Sequence, residues 1–181
     1  MQRTLLVPPP LGGAPLAELK HWLAISNPHE DAALEALLRS ALESCEAFTG
    51  LLPLTATVEE RHPANCEWQG LYTMPVQAMQ SVEDISVEGS RTPLPATDYE
   101  LDISAESRGL VRLRSGTGVR QIIVTLAAGL AEDWELLPDG LRHGILRLAA
   151  HHYRSRENGS ETAPPAAVAA LWRPWRRMRV A

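Results

Sequence analysis

The side chains with the most distinctive chemistry lie at the C-terminal end. Aromatic and sulfur-containing side chains alternate there with arginines, in a segment that contains Leu171, Trp172, Arg173, Trp175, Arg176, Arg177, Met178 and Arg179. Trp and Arg dominate protein–protein hot spots, and the same residue types stack on bases and pair with phosphates of single-stranded nucleic acid. We predict an exposed docking tail here. A protein partner is favoured over nucleic acid, because duplex binding through so short a segment is weak and salt-dependent.

Motifs for nucleotide binding and for a serine nucleophile are missing or incomplete in the sequence. Lys20 is the only lysine and follows no glycine-rich phosphate loop. Gly116-Thr117-Gly118 lacks the third glycine of a dinucleotide site, and no serine lies in a GxSxG elbow. We therefore predict no catalytic residue and no cofactor. The alternative of an enzyme would need a deep pocket, between helices and sheet, with clustered carboxylates or histidines.

Histidine and cysteine spacings do not form a metal site. His62 and Cys66 could share a metal ion, but no second pair completes a tetrahedral set. The histidines at positions 143, 151 and 152 lack the i,i+4 pair of helical zinc sites. The second cysteine, Cys45, lies on an apolar helix stripe, where it acts as a small hydrophobic residue. The prediction is no metal and no disulfide.

Charge is distributed unevenly along this chain of 181 residues, whose net charge is −5. Residues 1–141 contain 9 basic and 20 acidic side chains, whereas residues 142–181 contain 8 Arg and 2 Glu. Such asymmetry predicts a basic end that meets an acidic partner. With 45% hydrophobic residues the chain can build a core, and no run approaches the about 18 apolar residues of a membrane span. We expect a cytoplasmic product without a membrane partner.

Apolar residues recur at helical spacing near both ends of the chain. A long helix is predicted over residues 27–50, with Asn27 and Glu30 as a capping box and Gly50 as a left-handed exit. A second strong helix is predicted from Pro138-Asp139 to about residue 156, and shorter helices over residues 15–24 and 164–172. Because each helix has one apolar stripe, we predict a helical bundle built from both chain ends.

Between these helices the hydrophobic period changes to that of strands. Strands are predicted at residues 54–61, 66–73, 81–88, 99–103, 110–114 and 121–127, which favours an antiparallel sheet or a small barrel. Three consecutive prolines, residues 8–10, predict an extended arm that is loose unless a neighbour holds it. The predicted fold class is α+β. Its parts are an N-terminal arm (1–14), a helical domain (15–53 and 128–173), an inserted β module (54–127) and a C-terminal docking tail (174–181).

This layout resembles the bacteriophage head–tail connector (adaptor) proteins, including those of gene transfer agents. The order and spacing of the matching stretches carry the resemblance, and together they cover most of the chain. Trp175 is a mild departure, since a tyrosine is expected there. The stretches are Leu16–Leu23, Glu30–Gly50, Leu94–Leu101, Val124–Leu130, Pro138–Leu146, His152–Glu157 and the tail.

The resemblance implies a structural protein without turnover. It implies a ring of twelve copies between the portal and the stopper or tail components, with the helical part as the ring wall and the tail reaching into the portal. DNA would pass through the ring without sequence-specific contact, and an acidic body would let it slide. The implied location is the neck of a virion or gene transfer agent particle, after assembly in the host cytoplasm. The alternative function is a nucleic-acid-binding module that uses the same tail.

Overall fold

The computed structural model of the protein describes residues 2–86, 88–114, 118, 120–155 and 164–177. The chain divides into two compact units. The first comprises the residues up to Pro8 together with Thr55–Leu130, and the second comprises Pro9–Leu54 together with the residues from Ala131 onward. Strands occupy the first unit and helices the second, so the predicted α+β class is confirmed.

The first unit is built from antiparallel strands in two sheets. The strands are β1 (Gln2–Val7), β2 (Ala56–Pro63), β3 (Gln69–Gly70), β4 (Val76–Ile85), β5 (Arg91–Pro93), β6 (Tyr99–Ile103), β7 (Gly109–Leu113) and β8 (Gln121–Ala128). One sheet has five strands in the order β1-β2-β8-β4-β5, and the other has three in the order β3-β7-β6. Both sheets therefore contain strands that are far apart in sequence.

The central strand of the larger sheet is β8. Its consecutive residues Ile122, Ile123 and Val124 are all buried, as expected for a strand covered on both faces. The flanking strand β2 instead alternates between buried and half-buried residues, which is typical of a strand with one face on the core. The pattern of apolar residues thus distinguishes β8, which is covered on both faces, from its neighbour β2, which has one face on the core.

The second unit is built around one helix. Its helices are α1 (Ala14–Leu23), α2 (Asp31–Thr49), α3 (Asp139–Arg154) and α4 (Ala166–Trp172), and 3₁₀ turns lie at Trp134–Leu136 and Arg173–Trp175. Helix α3 contacts the other three helices. Its buried residues spread over more than one stripe: Leu141, Gly144, Ile145, Leu146, Leu148, Ala149 and Ala150. The sequence pattern emphasised α2, but α3 holds the unit together.

The N-terminal residues are extended, and a neighbouring strand holds them. Residues 2–7 were expected in an extended arm that is loose unless a neighbour holds it; they form β1, which pairs with β2 from Gln2↔Arg61 to Val7↔Thr57. Pairing supplies the backbone hydrogen bonds that an isolated extended segment lacks. Pro8 follows directly and limits the strand, since proline has no N–H to donate.

The start of α2 differs from the prediction, while its end agrees. The helix begins at Asp31 and not at the predicted cap Asn27. The intervening residues form a turn, in which Asp31 N–H donates a hydrogen bond to Pro28 O at 3.2 Å. Lys20 Nζ holds the Asp31 carboxylate at 2.6 Å. At the other end Gly50 has the predicted left-handed conformation, with φ 77°.

Two strand predictions need correction. The strand expected over residues 66–73 is reduced to the short β3, because the Glu60 carboxylate accepts the N–H groups of Tyr72 and Thr73 that a strand would use for pairing. Residues 89–98 lie between two predicted strands, but they contain β5, which pairs with the end of β4. In both places a tertiary partner decides the local structure.

Candidate docking site at the C-terminal end

The elements that position the tail are α3 and α4. Pro165 precedes α4 as its cap residue, and the alanine-rich sequence that follows favours a helix. Val168 and Trp172, four residues apart, are the buried residues of α4, so they lie on one face. That face packs on α3, and the chain continues from Trp172 into the 3₁₀ turn.

Trp172 is a core residue. Its side chain is fully buried, its ring lies 5.9 Å from the ring of Phe48, and its Nε1–H donates a long hydrogen bond of 3.4 Å to Leu141 O. A Cβ atom on Gly144 would lie 2.2 Å from Trp172 Nε1, so the ring fits only because this position of α3 is glycine. The sequence analysis grouped Trp172 with exposed contact residues, and the structure corrects this, because the side chain is buried. The buried Trp172 fixes the position at which the tail starts.

After Trp172 the chain crosses the C-terminal end of α2. Arg177 N–H donates to Thr49 O at 3.0 Å, which satisfies one of the carbonyls that a helix end leaves unpaired. The Arg176 guanidinium lies over the Phe48 ring, 5.5 Å from its centroid. Cations are favourable at a helix C-terminus because its carbonyls carry partial negative charge. Residues 173–177 are thus held by their own unit.

The accessible part of the tail is cationic. Arg173 and Arg176 are exposed, whereas Leu171, Trp175 and Arg177 are half-buried. Two further residues of the predicted tail, Met178 and Arg179, lie outside the described residues. Two exposed guanidinium groups thus lie close in sequence to one half-buried indole ring, a combination of residue types suited to an acidic or carbonyl-rich partner.

The sequence candidates His62 and Cys66 do not share a site. Cys66 is exposed, whereas His62 is buried and its Nε2 lies 2.9 Å from Glu60 Oε2. The Glu60 carboxylate also accepts N–H groups from Tyr72 at 2.8 Å and Thr73 at 2.6 Å. Burial raises the pKa of Glu60, but the hydrogen bonds from His62, Tyr72 and Thr73 outweigh it, so that pKa lies below its usual value.

Sequence reasoning missed this buried pair. The signal was the period of β2: Glu60 and His62 follow Val58 at intervals of two, and Val58 faces the core. Each oxygen of the Glu60 carboxylate has a partner, so the pair ties the segment after β3 to β2.

The other histidines and cysteines are also dispersed. His143 packs edge-on against Trp22 with ring centroids 5.2 Å apart. The pKa of His152 is lowered by burial and by the adjacent His151. Burial raises the pKa of the Cys45 thiol to about 12. Within the described ranges, no group of three His, Cys, Asp or Glu side chains is placed to hold a metal ion.

A shallow groove of about 470 Å³ lies beside α1 and includes the ion pair between Lys20 and Asp31 in its lining. Because the two charged groups of this ion pair neutralise each other, the groove resembles neither a catalytic cleft nor a charged ligand site. Among the described helices, each is too short or too polar to cross a membrane.

Comparison with solved structures gives matches over the full length. The chain is similar to a chain in the neck of an empty GTA particle computed with C6 symmetry, with a TM-score of 0.78, 25% identity, and coverage of 100% of this chain and 98% of that chain. Chains from the virion of a native gene transfer agent (GTA) particle and from the neck of a native GTA particle computed with C12 symmetry match with TM-scores of 0.76 and 0.74, at 25% identity and the same coverage. No family model and no curated protein matches the chain. Both units of this chain are therefore similar in fold to a chain of gene transfer agent particles and their necks.

Proposed function

We propose that the chain is a structural component of the neck of a phage-like particle, namely a head–tail connector (adaptor) subunit. The observation that carries the proposal is the full-length similarity to neck chains of gene transfer agent particles, at a TM-score of 0.78 and 25% identity. A match over both units supports the role more strongly than a shared module would, because one common module occurs in proteins of many functions. The location is the neck, between head and tail.

In this role twelve copies form a ring that joins the portal to stopper or tail proteins. The neck structures similar to this chain have cyclic symmetry, C6 or C12, and a cyclic assembly is built from repeated contacts between identical subunits. The helical unit, a bundle built from both ends of the chain, forms the ring wall. DNA passes through the ring without sequence-specific contact, and the net charge of −5 disfavours tight binding to its phosphates.

The tail docks on the portal. Its accessible groups among the described residues are Arg173, Arg176 and the half-exposed Trp175, and the proposed docking segment includes Met178 and Arg179, which follow in the sequence. Burial of Trp172 fixes the direction in which these groups leave the subunit, and a segment that is already ordered loses less conformational entropy on binding. Docking of this kind needs no turnover.

The alternative, a nucleic-acid-binding module, has less support. Stacking on bases needs an exposed aromatic face, and Trp172 has none because it is fully buried. One tail indole, Trp175, is half-exposed. Recognition by a tail with a single partly covered ring would rest on charge alone.

The test compares two charge-reversal variants of the chain in particles. Arg173→Glu with Arg176→Glu reverses the accessible tail cations, and Arg108→Glu with Arg120→Glu reverses two exposed cations of the first unit, outside the proposed ring wall, as the matched control. We expect the tail variant to reduce the fraction of heads joined to tails by about tenfold or more, since each 1.4 kcal/mol lost is tenfold in affinity. The control should assemble normally. Electron micrographs give the counts.

Two outcomes would count against the proposal. Normal joining in both variants refutes the docking role of the tail. Absence of the wild-type chain from the necks of particles, measured by labelling or by mass spectrometry of isolated necks, refutes the structural role itself.

A further inference from the structure

The edge strands of the first unit differ in how well they are protected. In the described part of the chain the two sheets end in β1, β5, β3 and β6. Strand β3 has two residues. Strand β5 has three and ends in Pro93, which cannot donate to a further strand, and its Arg91 is paired with Glu59 at 2.7 Å. Short length, proline and paired charge are the usual protections of a sheet edge.

The other two edges are long and carry exposed aliphatic side chains. Strand β1 has six residues and β6 has five, and neither contains proline. In β1, Leu5, Leu6 and Val7 are 41%, 46% and 60% exposed, and in β6, Ile103 is 40% exposed. Apolar side chains beside an unprotected edge are a combination that soluble proteins avoid unless another chain covers them.

The backbone of β6 shows which groups an added strand would meet. Ser104 N–H donates to Arg108 O and Arg114 N–H to Asp98 O, so the even-numbered residues of β6 direct their backbone toward β7. Tyr99 and Leu101 therefore direct their N–H and C=O groups away from the sheet. The outward N–H of Ile103 is taken by Asp102 Oδ1 at 2.9 Å.

The two open edges lie on opposite sides of the unit. Gln69 Nε2 donates to Pro63 O at 3.0 Å, which places β3 beside β2, the neighbour of β1. At the other end of the smaller sheet β6 contacts β4, the neighbour of β5. One copy can therefore offer β1 to one side and β6 to the other.

The edges also differ in charge. Strand β1 contains one cation, Arg3, and no acidic residue, whereas β6 contains Glu100 and Asp102 and no cation. Arg112 and Arg114 already pair with Glu100, at 2.6 and 3.1 Å, so the exposed Asp102 supplies the negative charge at this edge. Opposite charges on facing strands favour pairing, and like charges oppose it. Pairing of β1 with a second β1 would bring cation toward cation, and would close a two-fold dimer instead of a larger ring.

We propose that β1 of one copy adds to β6 of the next copy, so that the sheets of neighbouring copies are joined around the ring. The inference rests on the proposed function, from which it takes the ring. A ring of more than two copies needs two different surfaces on each subunit that fit one another. Two open edges of opposite charge, on opposite sides of one unit, meet that requirement.

Cysteine cross-linking in assembled particles tests the pairing. The background is Cys66→Ser, which removes the exposed native thiol, while Cys45 stays buried. One chain carries both Thr4→Cys and Ile103→Cys, and each single variant is a matched control. With a short bismaleimide, the double variant should give a ladder of linked chains up to the full ring. Each single variant should stay monomeric, and the two single variants assembled together should give dimers and nothing larger.

Three results overturn the inference. Dimers from Thr4→Cys alone would mean that β1 pairs with β1. A double variant that is present in intact necks but stays monomeric would mean that these edges do not meet. Absence of the chain from necks would refute the proposed function, and this inference with it. A chain that is present in necks but not cross-linked would refute this inference alone, so the two failures can be told apart.

Discussion

At the residue scale, one glycine and one tryptophan decide where the tail begins. Gly144 and Trp172 are 28 positions apart in sequence, and the buried indole occupies the space that a side chain at position 144 would fill. Close packing of this kind leaves little room for adjustment, because protein interiors are packed as densely as organic crystals. The pair therefore fixes α4 on α3 at one position.

Replacing that glycine should loosen the second unit. In Gly144→Ala the new methyl group would lie 2.2 Å from Trp172 Nε1, so we expect a loss of about 1–3 kcal/mol in the free energy of unfolding, typical of an overpacked core. The matched control is Gly140→Ala on the same helix, where the methyl group would lie 3.4 Å from Leu171 O. The control should be neutral or up to about 1 kcal/mol more stable, from helix propensity. Urea unfolding followed by tryptophan fluorescence measures both, and equal stability of the two variants would contradict the packing.

At the element scale, a buried carboxylate fastens an irregular segment to a strand. Glu60 of β2 accepts hydrogen bonds from Tyr72 and Thr73 N–H in the segment between β3 and β4. Its pKa is lowered because these bonds and His62 outweigh the cost of burial. A lowered pKa in the folded state stabilises that state above the pKa of an unfolded glutamate, near 4.5, and this contribution is lost as the pH falls through the lower folded-state value.

Glu60→Gln should therefore destabilise the protein in a pH-dependent way. At neutral pH we expect a loss of about 1.5–3 kcal/mol, the range for hydrogen bonds to a charged group. The neighbouring Glu59→Gln is the control: it removes only the ion pair with Arg91 near the surface, which is worth about 0–1 kcal/mol. Below about pH 4.5 the difference between wild type and Glu60→Gln should shrink, because the wild-type carboxylate becomes protonated. Thermal unfolding across pH measures this, and a constant difference would contradict the role of the charge.

The same elements explain which parts of the fold were predictable. The helices α1 to α4 and the strands β2, β6, β7 and β8 were found because the apolar residues of each recur at helical or strand spacing or, in β8, form a continuous run. Strands β1 and β5 were not, since their pairing with β2 and β4 decides them and their exposed side chains show no alternation. The burial of Trp172 depends on the space that Gly144 leaves on α3, and the sequence around Trp172 does not encode that space. Arg173 and Arg176 are exposed, which sequence indicates more readily because charged side chains on a surface need no tertiary partner; their docking role stays a prediction.

At the scale of the whole molecule, the uneven charge separates two possible relations to DNA. The chain is acidic overall, at −5, while its last 40 residues hold 8 of the arginines. A connector through which DNA slides needs weak contacts that break easily. A nucleic-acid-binding module needs contacts that survive physiological salt.

A salt titration distinguishes these relations. If the four tail arginines each neutralise one phosphate, the affinity for duplex DNA should fall by about a hundredfold between 50 and 200 mM salt, because the slope is about −0.9 per phosphate. We expect no binding at micromolar protein in about 0.15 M salt, since the acidic remainder of the chain repels the duplex. Fluorescence anisotropy of a labelled duplex measures this, with Arg173→Glu and Arg176→Glu as the control for tail contacts. Submicromolar binding at that salt concentration, lost in the tail variant, would favour the nucleic-acid-binding module over the connector, because DNA held that tightly could not pass freely through a ring.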